Sequence, residues 1–441
     1  MAPVTLPFAG LARLFQQVKL PEMVRSLGGV SPQELGMLLK SITSRRRPKL
    51  LPPVNGDFYD ISDSLTNDER ATQQLIRSYM EQKVRPVIGA YWERGEFPHE
   101  LVPSFAAMTQ DAFGDRMLSL NGLSPTLSGI AAMELARVDA SIYTFFGVHW
   151  GLAMGSIDLF GSPEQKQRWL PALRRFELIG SWSLTEPEVG SAAAAGLTTT
   201  ARRDEQGWVL NGAKKWCGNA PIAHLNIVFA RDVADNHVKA FVVERDTPGY
   251  HVEKMEGKTA LRVVQNANVR LENVRVPEAN RLPGVKGFRD VARQLGMARG
   301  AVAWAMAGVA MGAYERTLAY ANQRMQFGRP ITGFQLVQSG LVQMLGNLTA
   351  MQSLCLRMSQ LYARDGKLSQ ERASLAKVYC GEQMRATVAI GRNLLGGNGI
   401  LLEHEVARYF ADAEALYSYE GTHEMNTLIV GRAITGMSAF I

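Results

Sequence analysis

The sequence predicts an α+β chain, mostly α: an N-terminal helical domain, a middle antiparallel β barrel or sandwich, and a C-terminal four-helix bundle. Three observations predict it. Over residues 63–176 apolar positions recur at helical spacing. Over about 179–280 the pattern changes to short alternating runs split by turn residues, with no helical stretch between them. From 288 onward the spacing is helical again in four long stretches, about 288–325, 333–364, 368–395 and 403–438, with short joints. The expected divisions are an extension at 1–55, the first helical domain at 56–178, the β domain at 179–284 and the bundle at 285–441.

The extension holds a weak amphipathic pattern over 8–30, then the basic run Ser44-Arg45-Arg46-Arg47-Pro48-Lys49 and Pro52-Pro53, the composition of a solvated linker. Its first 20 residues carry no acid and include Arg13 and Lys19, as a transit peptide would; Glu22, Glu34 and the length count against that. In the first helical domain Leu65-Thr66-Asn67-Asp68-Glu69 reads as a helix start with acids in its first turn. Ser124-Pro125 opens one or two long apolar helices reaching 156, and Ser162-Pro163-Glu164-Gln165 opens another that runs to 175. The β runs lie at 197–201, 208–210, 225–229, 238–243 and 267–271, with turns at 204–207, Asn211-Gly212 and Pro248-Gly249. Asp365-Gly366 and the glycines of 396–399 mark joints of the bundle.

Composition narrows the class. The 441 residues are 46% hydrophobic and 20% charged, enough apolar content for a large core and too little charge for a disordered chain. The net charge of +7 suits an anionic ligand, but over this length it is too diffuse to argue for nucleic acid. Cys217, Cys355 and Cys380 are far apart with no CxxC, which fits an intracellular chain without a structural disulfide or zinc site. Polar residues break each apolar stretch before the ~18 residues a membrane span needs.

Familiar motifs are missing. There is no GxxxxGK[ST]; the glycines of 396–399 do not follow a strand in a βαβ unit; His404-Glu405 lacks the second His of HExxH; no GxSxG elbow is present. No metal ligand set is expected. One stretch does point to chemistry: Tyr419-Glu420-Gly421-Thr422. A carboxylate with apolar neighbours and a flexible joint behind it is desolvated and its pKa rises, which suits a general base. An exposed glutamate in a helix-to-helix turn is the plainer reading of that stretch alone.

Four other segments accompany it in order: Trp182 to Ser191 (WSLTEPEVGS), Asn211 to Asn219 (NGAKKWCGN), Arg324-Met325-Gln326-Phe327-Gly328-Arg329-Pro330 with Gln335, and Leu395-Gly396-Gly397-Asn398-Gly399. Singly, Asn211-Gly212 is a hairpin turn and the glycine run a helix stop. Together, spaced over helical, β and bundle regions and ending in Tyr-Glu-Gly-Thr, they resemble the acyl-CoA dehydrogenase family of flavoproteins over about residues 57–441.

The resemblance implies FAD held between the β domain and the bundle of a homotetramer, or a dimer. It assigns the segment with Trp182, Leu184, Thr185, Gly190 and Ser191 to the flavin edge, with the Thr185 hydroxyl on the ring and Ser191 near the pyrophosphate or CoA. It places Trp216 on the flavin face with Gly218 beside it. Arg324, Gln326, Phe327 and Gln335 would contact FAD, Arg324 through phosphate. Gly396, Gly397 and Gly399 would admit the adenosine half across a subunit interface, and Gly421 and Thr422 complete the pocket. Glu420 would be the base that takes the α-proton while a hydride leaves the β-carbon; its N–H would help form the oxyanion hole. Arg299, Tyr419 and Tyr143 would stand on the substrate side, and Arg432 near CoA. A second branch carries its base just before the arginine matched by Arg299; here that position is Ala298.

Departures narrow the substrate. The C-terminal wording is closest to the glutaryl-CoA dehydrogenase branch and to plant short-chain acyl-CoA oxidases. The glutaryl branch reads Glu-Arg-Val-Asp-x-x-x-Arg; this chain reads Ala136-Arg137-Val138-Asp139 and then Tyr143, so a second carboxylate would lack its charge partner. Tyr143, Phe145, Phe146 and Trp150 are expected either to cap an acyl pocket or to pack as ordinary helix aromatics. Dehydrogenases of the family read Trp-Ile-Thr-Asn where this chain has Trp216-Cys217-Gly218-Asn219, which keeps dioxygen open as electron acceptor. Ala192 replaces the usual Asp after Gly190-Ser191.

The function expected is therefore FAD-dependent α,β-dehydrogenation of a short- or branched-chain acyl-CoA, with electrons passed to an electron-transferring flavoprotein. The alternatives are a short-chain acyl-CoA oxidase using O2, and a nucleic-acid-binding alkylation-response flavoprotein of the same fold. The basic run at 45–47 favours the last; Glu420 and the two candidate CoA arginines oppose it. The expected setting is the bacterial cytoplasm, with the mitochondrial matrix as alternative.

Overall fold

Thr66 opens the helical region. Its Oγ1 accepts the Glu69 N–H at 3.3 Å while the Glu69 carboxylate accepts the Thr66 N–H at 3.0 Å, a reciprocal cap. In this computed structural model, which describes residues 55–114, 116, 122–191 and 193–439, the cap starts α1 (Asn67–Tyr79), which passes through one wide turn into α2 (Arg85–Arg94) and then α3 (Val102–Phe113). The features expected in the N-terminal extension lie outside the described residues. Ser124 caps α4 (Pro125–Val138) by accepting the Leu127 N–H. The apolar run expected to continue to 156 is interrupted at Asp139, whose extended backbone ends α4 and whose carboxylate caps α5 (Ala140–Phe146). A π-helical stretch, Gly147–Met154, leads into α6 (Gly155–Phe160), and Ser162 with Gln165 caps α7 (Pro163–Arg174).

Seven strands then form one curled sheet: β1 (Gly180–Ser183), β2 (Thr200–Asp204), β3 (Gly207–Gly218), β4 (Leu225–Asp232), β5 (Val238–Glu244), β6 (Tyr250–Lys254) and β7 (Asn266–Val276). The pairing is mixed, not wholly antiparallel: β1 and β2 both run parallel to β4 and share one of its edges in succession, while the other pairs are antiparallel. The chain between β1 and β2 therefore leaves the sheet as a connection at 184–199, a loop with one short helical turn at Ala193–Gly196. Asn211-Gly212 is not a turn either. It lies inside β3, where the register against β7 slips between Leu210 and Gly212, because the conformational freedom that suits a turn also suits a bulge.

The C-terminal part begins with α8 (Phe288–Gln323), followed by the small hairpin β8 (Met325–Gln326) and β9 (Arg329–Pro330), then α9 (Gln335–Asp365) and α10 (Gln370–Leu394). The fourth expected helix is two helices, α11 (Val406–Ser418) and α12 (His423–Thr435), broken around Glu420. Helix α8 is long and apolar enough to cross a membrane, but 72% of that apolar window is buried. Its alanine-rich faces are covered by α4, α9, α10 and α11, which makes it a core helix.

One apolar core joins the first helices to the C-terminal ones; two more lie on either face of the sheet. Charges tie the parts together. Arg408 of α11 donates to Asp139 at 3.0 Å, and the Asp412 carboxylate, one turn on, accepts from Trp92 Nε1 at 2.9 Å and from the Leu261 N–H at 2.7 Å. Helix α11 is thus anchored to the first helical region and to the connection between β6 and β7 before it delivers Glu420.

Candidate active site

Helix α11 ends because the backbone turns left-handed twice in a row, with φ of 55° at Glu420 and 86° at Gly421. Glycine takes this freely; a glutamate so held costs about 1–3 kcal/mol, a strain typical of functional turns. Both sides hold the turn. Before it, Lys377 Nζ donates to the Tyr417 carbonyl at 3.2 Å. After it, Asn426 Nδ2 donates to the carbonyls of Gly421 and Thr422 at 2.8 and 2.9 Å, and Thr422 caps α12 by accepting the Met425 N–H.

Arg299 of α8 lies behind this turn. A Cβ on Gly421 would stand 3.7 Å from its Nε, and its Nη1 donates to Gln370 Oε1 at 2.6 Å. Burial raises the Glu420 carboxyl above the ordinary carboxylate range, and the nearby charges of Arg299 and Lys377 only partly pull it back. Burial also pushes Lys377 down to about 8. Glu420 Oε2, Arg299 Nε and Asn426 Oδ1 are buried without a hydrogen-bond partner. Buried polar atoms are normally paired, so three orphans around one turn mark a place where a ligand's polar groups fit.

Two tyrosines connect the turn to a cavity. Tyr419 Oη and Thr144 Oγ1 are 3.3 Å apart. Tyr143 is buried, and its phenol is pushed well above the usual value by burial, then by Tyr419 and Glu420. It lines a cavity of about 150 Å³ together with Phe146, Gly147, Trp150, Gly151 and Ala301. Phe145 does not join them. It is fully buried, stacked near His149 and Phe176, because positions 143, 146, 147 and 150 share a helix face that 145 leaves.

The loop at 184–199 sits where the β4 edge passes from β1 to β2. The Trp182 and Leu184 side chains turn into the core, Trp182 Nε1 donating to Ser156 Oγ at 3.1 Å. Of the expected cofactor residues the loop presents outward half-buried Thr185 and exposed Gly190 and Ser191, with Pro187 and Glu188 exposed between them. A buried pair holds it: the Glu186 carboxylate accepts from Lys214 Nζ at 2.9 Å and from the N–H groups of Thr198 and Thr199, and Lys214 also donates to the Leu184 carbonyl. Beside it the Lys215 N–H donates to the Thr185 carbonyl at 2.8 Å. The register of β3 against β7 slips again between Lys214 and Cys217. At this bulge Trp216 adopts a φ of 62° and the residue is 54% exposed, while Lys214 and Cys217 on either side are buried. Gly218 has a packing reason: a Cβ there would stand 2.9 Å from Val148 Cγ2.

The remaining expected residues gather elsewhere. Arg324, Gln326 and Phe327 are on the β8–β9 hairpin, with Phe327 92% exposed, and Gln335 opens the next helix. Gly396, Gly397 and Gly399 form a 3-10 turn after α10, joined to the end of α8 where Asn398 Nδ2 donates to Tyr320 Oη at 2.9 Å. Arg432 is exposed on the last turn of α12, where its charge is felt by Glu371. From Arg299 to Arg324 is 25 residues of helix, about 37 Å at 1.5 Å each, more than the diameter of a small domain.

Sequence reasoning missed Lys377, Gln370 and Asn426, which have no local signature. It quoted Glu186 and Lys214 without pairing them. A lysine facing inward on an alternating strand was the available signal for that pair.

Comparison with known proteins agrees with this architecture. Three family models match in order: acyl-CoA dehydrogenase N-terminal domain over 66–177, middle domain over 181–274 and C-terminal domain over 285–435. The human mitochondrial short-chain specific acyl-CoA dehydrogenase is 33% identical over 401 residues, covering 89% of this chain and 97% of that protein. An acyl-CoA dehydrogenase of Bacillus subtilis is 29% identical over 382 residues, 84% of this chain and 99% of its own. Among solved structures, a glutaryl-CoA dehydrogenase from Mycobacterium smegmatis superposes with a TM-score of 0.82 at 34% identity, covering 88% of this chain and all of that one; a structure of such an enzyme from the same organism is in complex with FADH2. With three consecutive domain matches, the chain belongs to the acyl-CoA dehydrogenase family, FAD flavoproteins that oxidise the CH–CH bond of acyl-CoA.

Proposed function

We propose that this protein carries out α,β-dehydrogenation of a short- or branched-chain acyl-CoA to the 2-enoyl-CoA and passes the electrons to an electron-transferring flavoprotein. The observation that carries it is the Glu420 turn: a buried, raised carboxylate with an unpaired oxygen, linked through Tyr143 to an apolar cavity. Glu420 in its ionised form takes the α-proton onto that carboxylate, and the raised pKa strengthens it as a base. Arg299 and Lys377 offset part of the rise that burial causes, which favours the ionised form the reaction needs.

The residues present fit FAD. Trp216 is an uncovered aromatic face set beside the Thr185 loop, whose backbone and hydroxyl suit a polar ring edge. FAD, when bound, supplies the acceptor for the hydride that leaves the β-carbon. Thr185, Gly190, Ser191, Trp216, Gly218, Gly421 and Thr422 would hold its ring end. Arg324, Gln326, Phe327, Gln335, Gly396, Gly397 and Gly399 lie at the other end of α8, so they would serve the site of a neighbouring copy. Exposed Met325, Phe327, Leu336 and Ile400 at that end support a homo-oligomer, in keeping with a tetramer or dimer.

A dicarboxylic substrate is not favoured. Among the described residues the cavity carries no lysine or arginine, and Asp158 is its charged wall residue. Gly218 reads as a packing requirement, so it does not by itself argue for an oxidase. With mitochondrial and bacterial relatives, the bacterial cytoplasm or the mitochondrial matrix is the setting proposed.

The test is to mix the FAD-loaded protein with short acyl-CoAs without oxygen and follow flavin absorbance. Bleaching that falls by about 10²-fold or more in Glu420→Gln is expected; readmitted air then tells an oxidase from a dehydrogenase. Absence of bleaching by every thioester overturns the assignment.

A further inference from the structure

The space behind Tyr143 has a shape of its own. The π-helical stretch Gly147–Met154 places Gly147 and Gly151 about one turn apart. Gly151 is exposed, at the open rim of this space, and Gly147 is half-buried; among the described residues a Cβ added at Gly151 would meet nothing within 4 Å, and one at Gly147 would meet Tyr143 Cζ at 4.0 Å. Glycine inside a helix costs about 1 kcal/mol relative to alanine, and no described neighbour requires it at Gly151. Among the described residues no side chain fills the room so left. It is the cavity of about 150 Å³, walled by Phe113, Phe146 and Trp150. An apolar cavity of about 150 Å³ is large enough to hold benzene. It adjoins a second space of about 320 Å³, which shares Ser128, Gly151 and Ala301.

The cavity is tied to the reacting end. Tyr143 lines it and feels the charge of Glu420; Thr144 touches Tyr419; Ala301 lies two residues beyond Arg299 on α8. A linear four-carbon chain would leave much of this aromatic-walled room empty, and an anionic tail would find no cation among the described walls.

We infer that the substrate acyl group is a short chain ending in an apolar six-membered ring, a 3-aryl- or 3-cycloalkylpropanoyl thioester, with Gly147 and Gly151 as the specificity-determining positions that leave room for the ring. This rests on the dehydrogenation reading and refines it. Glu420 would take one α-proton, and FAD, when bound, would accept the hydride from the β-carbon, so that the new double bond of an aryl substrate is conjugated with its ring.

The test reads binding as well as turnover. FAD-loaded wild type, Gly151→Ala and Gly151→Leu are titrated with cinnamoyl-CoA and crotonyl-CoA, enoyl products that need no turnover to bind, and melting curves are recorded. Wild type is expected to bind cinnamoyl-CoA at least tenfold tighter. Gly151→Leu should cut that ratio at least tenfold, within the range a filled pocket can discriminate. Gly151→Ala, a helix-favouring change, should cut it less and in the same direction; it decides the matter if the leucine variant does not fold. A ratio near one in wild type, or one that neither variant moves, overturns the inference. If no acyl-CoA bleaches the flavin while the glycine-dependent preference holds, the dehydrogenation reading falls and the ring pocket stands. If acyl-CoAs bleach it and the ratio is flat, the reverse is true.

Discussion

Lys377 Nζ donates to the carbonyl of Tyr417, 3.2 Å away and three residues before Glu420. The contact ties α10 to the end of α11 and sets a buried ammonium near the proposed base. Glu420 works when ionised, and the Lys377 charge lowers its pKa. Lys377→Met should therefore raise that pKa further, so that the acid limb of anaerobic flavin bleaching moves to higher pH. A pH–rate profile that superimposes on wild type would leave Lys377 with a structural role alone.

Gly421→Ala combines two costs. The residue would have to hold a φ of 86°, and its Cβ would press to 3.2 Å from Asn426 Nδ2. Denaturant melts should show a loss of more than about 1 kcal/mol. Because the new methyl also crowds Arg299, the bleaching rate should fall with it.

Trp216 gives the opposite pattern. The residue is 54% exposed, so Trp216→Ala should change apoprotein stability by no more than about 0.5 kcal/mol. FAD retention through gel filtration should nonetheless drop severalfold. Equal FAD content in the two proteins would remove Trp216 from the flavin face.

The Glu186–Lys214 pair should behave as a buried ion pair. Lys214→Met leaves the carboxylate without its cation and should cost about 3–5 kcal/mol; adding Glu186→Gln should recover part of it. Despite burial, the Lys214 charge and the Thr198 and Thr199 bonds hold the Glu186 carboxyl down to about 2. Its stabilisation is therefore present above the ordinary carboxylate range and is lost as pH falls toward 2. Acid melts of wild type and of the double variant should converge there.

Asp412 has the opposite sign. Burial and the charge of Asp139 push its carboxyl up to about 7. The folded state holds a proton that the unfolded state has given up above about pH 4, so this contribution is full below pH 4 and fades as pH rises through 7. Asp412→Asn keeps an oxygen to accept from Trp92 and Leu261, and its melting temperature should gain on wild type as pH rises over that window. A difference constant in pH would rule out titration of Asp412.

Local chemistry was readable in the sequence. The helix starts at Thr66, Ser124 and Ser162 are caps completed within four residues, so their partners stand in the same line of text. Asn211-Gly212 was misread because a turn and a bulge ask for the same residues. The parallel pairing of β1 with β4 joins positions 45 residues apart, as in Gly180 with Leu225, and alternation along a strand says nothing about direction.

By itself the sequence determined the order of helical, β and helical regions, the ordered motifs that carry the family resemblance, and Glu420 as the acid to watch. Each is written in periodicity or in adjacent residues. Tertiary structure decided the rest: that Asp139 interrupts an apolar run and pairs with Arg408, that a bulge ejects Trp216, that Lys377 and Arg299 flank Glu420, and that Gly147 and Gly151 line the cavity beside Tyr143. These depend on burial and on contacts between residues distant in the chain. Burial sets both the charge a carboxylate carries and the room a glycine leaves, and only the packed chain defines it.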